Sequence, residues 1–129
     1  MGKQRGVRQY EKVPGYLYAM KSVAFPGLFK VGWSERPDRR RQELSSTGVP
    51  DPYELFLAYP VKDAKRAEAL AFSLLHDLRY NNRKEFFECD FQHLMNVLNS
   101  VQRHINVGAA LDTSFISDAE IDQLQSRDF

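Results

Sequence analysis

The chain has 129 residues and a mass of 14.9 kDa, with 43% hydrophobic and 12% aromatic residues, enough for one compact domain with its own core and too little for two. No stretch approaches the roughly 18 unbroken apolar residues of a membrane helix, and no apolar run follows the basic N-terminus, so a soluble, cytoplasmic protein without membrane contact is expected. The net charge of +1 conceals a split: residues 1–50 carry ten Lys/Arg against four Asp/Glu, and residues 51–129 carry eight against thirteen. That asymmetry suggests a polyanion near the N-terminal half, with a solvated basic surface as the alternative.

Residues 1–12 are polar and basic and lack a hydrophobic period, as expected of a flexible arm, which Pro14-Gly15 ends. "YLYAMK" and "LFKVGW" flank "SVAFPG" and predict a β-hairpin. A turn centred near Ala24 sets Tyr18 across from Lys30 and Tyr16 across from Gly32, with the polar groups on one face. Ser34 and Arg36-Pro37 then open a helix through "DRRRQELSS" that ends near Gly48. Its one large apolar residue is Leu44, and Arg40 lies four residues earlier on the same side, so Arg40 is expected to face the body of the protein.

"YELFLAYPV", residues 53–61, predicts a third strand, apolar enough on both faces to lie inside a sheet. Asp63 is placed to cap a helix over about 64–79, with an apolar stripe of Ala64, Ala67, Leu70, Ala71, Leu74, Leu75 and Leu78. Glu68 falls at the margin of that stripe, where a carboxylate must be paired, protonated or bound to a metal. "KEFFEC" predicts a fourth strand, and Asp90 a further helix burying Phe91, Leu94, Met95, Leu98 and Val101. The last 24 residues hold five Asp/Glu against one Arg, and Ser117-Asp118-Ala119-Glu120 is a capping box for a short final helix. The expected division is an arm over 1–14, a domain over 15–104 and an acidic extension over 105–129. The element order predicts a small α/β sandwich with a mixed sheet.

There is no Gly-rich phosphate loop and no CxxC pair, and Cys89, His93 and His76 lack the spacing of a zinc site. The single cysteine cannot form an internal disulfide, which suits a reducing compartment. What stands out is Tyr18, Lys30, Arg40 and Glu68, polar residues at positions where apolar ones are the default. Singly, each has a structural explanation. Together they suit phosphodiester hydrolysis, which needs a base, cations around the phosphate and stabilisation of the leaving 3′ oxygen, often by Mg²⁺. Arg40 can hold phosphate oxygens bidentately. Glu68 offers one hard oxygen ligand. Tyr18 would serve as base, its high ordinary pKa lowered by the Lys30 ammonium opposite it.

The blocks "GYLY", "FKVG", the arginine in "RRRQELSS", the glutamate in "AEALAFSLLHDLR" and the ending "KEFF" resemble, in order and spacing, the GIY-YIG nuclease superfamily, in its phage and bacterial branch. The resemblance covers about residues 15–98. It implies an α/β (α+β) fold whose central three-stranded antiparallel sheet, with room for a fourth short strand, is flanked by helices. The implied activity is DNA endonucleolysis dependent on Mg²⁺ or Mn²⁺. Tyr18 matches the tyrosine closing the first motif, Lys30 stands in the place of the second motif's tyrosine, and Gly32 is that motif's glycine. Arg40 matches the helix arginine and Glu68 the metal-binding glutamate. Related sequences often carry a histidine one turn after this glutamate, where the chain has Phe72. Tyr16, Gly32, Arg36 and Arg39 are expected to contact substrate. With no recognisable DNA-reading module, specificity would come from self-association or a protein partner. The alternative is a nucleic-acid-binding or protein-interaction module on the same fold without turnover.

Overall fold

The computed structural model describes residues 11–46, 53–80 and 85–111. The expected arm up to residue 10, and the acidic segment from 112 with its capping box, lie outside the described residues. Strand β1 (Gly15–Ser22) pairs with β2 (Leu28–Ser34), followed by helix α1 (Pro37–Ser46), β3 (Tyr53–Val61), α2 (Ala64–Leu74), a 3₁₀ turn (His76–Leu78), β4 (Phe86–Glu88) and α3 (Phe91–Val107). The fold is α+β, a four-stranded sheet in the order β3-β1-β2-β4 flanked by three helices. Every pairing is antiparallel, so the mixed sheet suggested by the element order does not form. The fourth strand is only three residues long.

The hairpin turn spans Phe25–Leu28. Leu28 N–H donates to Phe25 C=O at 3.1 Å, and Gly27 takes a positive φ of 86° after Pro26, the arrangement that a type II turn requires. The midpoint of the strand pairing lies at Phe25, one residue later than the sequence suggests, and the register slides by two: Tyr18 pairs with Gly32, Met20 with Lys30 and Tyr16 with Ser34. A shift of two keeps each side chain on its expected face, so Tyr18 and Lys30 still share one side, as diagonal rather than direct neighbours.

Strand β3 lies at the sheet's edge, not inside it. Pro60 suits this place, since a residue without N–H is tolerated at an edge. Its carbonyl accepts hydrogen bonds from Gln102 Nε2 (3.0 Å) and Asn106 Nδ2 (2.9 Å) on α3, so that helix satisfies part of the exposed strand. The core joins Leu17, Ala19, Phe29 and Val31 from the sheet with Ala67, Leu70, Ala71 and Leu74 of α2 and Leu94, Val97, Leu98 and Val101 of α3. Both long helices carry the expected acidic cap: Arg66 N–H donates to Asp63 Oδ1 and His93 N–H to Asp90 Oδ1. Helix α2 stops four to five residues short of the expected end, at a 3₁₀ turn. Helix α3 buries Leu94, Leu98 and Val101 as expected and adds Val97 and Ser100, while Met95 is only partly buried and Phe91, at its first position, stays 39% exposed.

Candidate active site

Tyr18 sits at the middle of β1, only 2% exposed. Its partner Gly32 makes that position possible: a Cβ on Gly32 would lie 2.7 Å from the Tyr18 hydroxyl oxygen and 2.9 Å from Cζ. The glycine is thus the notch that receives the ring. Gly32 thereby seats Tyr18.

Helix α1, started by Pro37 after Ser34 Oγ accepts from Arg36 N–H at 2.9 Å, brings Arg40 to the Tyr18 hydroxyl, where the guanidinium donates a hydrogen bond. Burial is the main influence on Tyr18 and pushes its pKa above the ordinary 10; the Arg40 bond and charge oppose this, while Glu85 and Glu68 add to the rise. The cation acting on Tyr18 is therefore Arg40, in place of the expected Lys30, and the phenol stays protonated near neutral pH. Arg40 was expected to face the body of the protein and does so only in part: it reaches Tyr18 but keeps 45% of its side chain exposed, with its Nη1 3.6 Å from Glu43 Oε1.

Lys30 is 6% exposed, so its ammonium requires a counter-charge. Glu85 supplies it through an ion pair, and the Phe86 ring lies under the ammonium at 5.3 Å. Strand β4 explains this placement: Lys30 pairs with Phe86, and Val31 N–H donates to the Glu85 carbonyl at 2.9 Å. Beyond this point β4 no longer covers β2. There Glu68 reaches over from α2 and its carboxylate accepts from the Trp33 backbone N–H. Burial first, and then the Glu85 charge, raise the Glu68 pKa; the Trp33 N–H and the Lys30 charge hold it down.

Tyr18, Lys30, Arg40 and Glu68 thus meet at the edge of β2, brought there by two strands and two helices. Glu85 belongs with them, as it acts on Tyr18, Glu68 and Lys30 alike. Sequence reasoning missed it, because only the pairing of β4 with β2 sets it beside Lys30. Arg36 and Arg39 line an adjoining groove of about 500 Å³ with Arg40 and Trp33, while Tyr16 lines a different concavity with Pro14, Pro60, Lys62 and Asn106. Phe72 packs 5.5 Å from the Phe87 ring centroid, filling apolar space, and His76 lies in the 3₁₀ turn beyond α2.

Among the described residues no group of three or more His, Cys, Asp or Glu is arranged to hold a metal ion. Cys89 and His93 make no such site, and burial together with Asp90 pushes the Cys89 thiol up to about 11, so it is a poor nucleophile. Glu85 lies near enough for its charge to raise the Glu68 pKa and is itself paired with Lys30, and two neighbouring carboxylates are a donor set of the kind that Mg²⁺ or Mn²⁺ takes. Such an ion takes one or two carboxylates and completes its octahedron with water and phosphate oxygens. No helix among the described residues is long and apolar enough to cross a membrane.

No curated protein and no solved structure gives a significant match to the chain. The sequence profile of one family does, that of the T5orf172 domain, over residues 15–102.

Proposed function

From the premise that this chain belongs to the T5orf172 domain family, found in phage and bacterial homing-endonuclease-like proteins related to nuclease-like folds, we propose that it is a metal-dependent DNA endonuclease of GIY-YIG type. The observation that carries this reading is the meeting, at one strand edge, of a buried tyrosine hydroxyl bonded to a guanidinium and a carboxylate turned out of the core.

In the proposed reaction Arg40 holds a non-bridging oxygen of the scissile phosphate, using donors that its exposed side chain still offers. In the minor phenolate form, whose own proton has gone to solvent, the Tyr18 oxygen takes the proton of the attacking water as the water oxygen bonds to phosphorus, and the bond from phosphorus to the 3′ oxygen breaks. The leaving oxygen is reprotonated from solvent. Lys30, fixed by Glu85, keeps positive charge beside the carboxylates and the developing phosphorane. Glu68, with Glu85 next to it, would hold Mg²⁺ or Mn²⁺, which when bound stabilises negative charge on the phosphate and leaving oxygen.

A nucleic-acid-binding module without turnover is the second reading, favoured by the protonated state of Tyr18 and the pairing of Lys30. The two separate in a nicking assay on supercoiled plasmid. The endonuclease relaxes plasmid in Mg²⁺ or Mn²⁺ and is stopped by EDTA, and Arg40→Ala lowers the rate by about 10²-fold or more. Retained binding with no relaxation by the wild type would select the module.

A further inference from the structure

The arginine groove runs on into a second concavity. Glu35 lines both, and the second, of about 450 Å³, is walled by Tyr16, Pro60, Lys62 and Asn106 among others. The strand pairing explains the junction. Tyr16 lies between Pro60 of β3 and Ser34 of β2, in the row next to the one where Tyr18 lies between Ala58 and Gly32. Such rows on one face of a sheet are about 7 Å apart, a distance that one nucleotide step of a DNA strand can span. Helix α3 mounts Lys62 at this place. Asn106 Oδ1 accepts from the Lys62 backbone N–H and Asn106 Nδ2 donates to the Pro60 carbonyl, each at 2.9 Å, so one side chain fixes the end of β3 on both sides of Val61. The Lys62 side chain stays exposed. Lys30, Arg39 and Arg40 all have carboxylate partners, whereas Lys62 has none among the described residues. Tyr16, 36% exposed, adds a hydroxyl to the same concavity. Glu35, at the junction, repels a phosphate there and favours one on either side of it.

We propose that this second concavity is a subsite for a phosphate flanking the scissile one on the same DNA strand, held by the Lys62 ammonium and the Tyr16 hydroxyl. The backbone of the substrate then crosses the sheet face from α1 towards the end of β3, and Lys62 and Tyr16 position it for the chemical step without taking part in it. The proposal rests on the reading of Arg40 as the residue that holds the scissile phosphate.

A phosphate contact by a lysine has a signature in the salt dependence of binding. The full chain is titrated in EDTA, where no cleavage is expected, against a labelled mixed-sequence duplex, and Kd is read by fluorescence anisotropy over a series of KCl concentrations. Lys62→Gln lowers the slope of log Kd against log[KCl] by about 0.9, the share of one neutralised phosphate, and Lys62→Arg restores it. Tyr16→Phe weakens binding about threefold and leaves the slope unchanged, since the hydroxyl is a neutral donor. Lys21 serves as the control: it lies near the hairpin end of β1, across from the core residue Phe29 and over the Phe56 ring, and Lys21→Gln keeps the wild-type slope. An unchanged slope in Lys62→Gln overturns the proposal, and so does an equal fall in Lys21→Gln or an unchanged Kd in Tyr16→Phe. The expected slopes without plasmid nicking would remove the nuclease reading alone; nicking with an unchanged slope in Lys62→Gln would remove the subsite alone.

Discussion

Gly32 and Tyr18 act as one unit. With a Cβ 2.7 Å from the hydroxyl oxygen, Gly32→Ala must displace the ring from its notch and draw the hydroxyl away from Arg40. We expect a loss of about 1–3 kcal/mol in urea unfolding, the range of an overpacked core, together with most of the nicking activity. The same buried hydroxyl sets a pH dependence. Burial holds the Tyr18 pKa above 10, so the phenolate is a minor species near neutrality and its fraction grows about tenfold per pH unit. If Tyr18 is the base, log(kcat/KM) climbs with a slope of about 1 from pH 7 to beyond 9. A plateau below pH 8 would assign the base to another group. Lys30→Met should leave this profile in place, because Lys30 acts on Glu68 and Glu85 and not on Tyr18.

At the scale of elements, the caps and the apolar stripes were legible in the sequence because they depend on neighbours within one or two turns. Asp63, Asp90 and most buried positions of α2 and α3 sit where spacing puts them. Asp90→Ala removes the acceptor 2.9 Å from His93 N–H, and we expect a cost of about 1 kcal/mol, read as a Tm lower by several degrees with DNA affinity unchanged, since α3 carries no residue of the site. Less legible were features decided by long-range pairing. The hairpin register depended on which four residues made the turn. The position of β3 depended on what lay beyond it, and the end of α2 on a 3₁₀ turn that periodicity does not signal. Four residues of the candidate site could be picked out in the sequence because polar groups in apolar positions are conspicuous. Glu85 could not, since a glutamate before two phenylalanines gains meaning only when β4 pairs with β2 and sets it against Lys30.

Across the whole molecule, the basic excess of residues 1–50 is concentrated in part on the face that carries the site, with Lys30, Arg36, Arg39 and Arg40 along β2 and the start of α1. In the proposed reaction, binding and cutting fall to different groups: the guanidiniums attract and position the polyanion, while the carboxylates at the β2 edge serve the chemical step. Glu68→Gln separates them, because the amide oxygen can still accept from the Trp33 N–H while the negative charge and the hard ligand are gone. The decisive measurement is a paired one on this variant, Kd for DNA in EDTA and nicking rate in Mg²⁺, alongside the wild type. The account predicts a Kd within about threefold of wild type or tighter, as a negative charge has left the site, and a nicking rate reduced by about 10²-fold or more. Nicking that persists at the wild-type rate would contradict it.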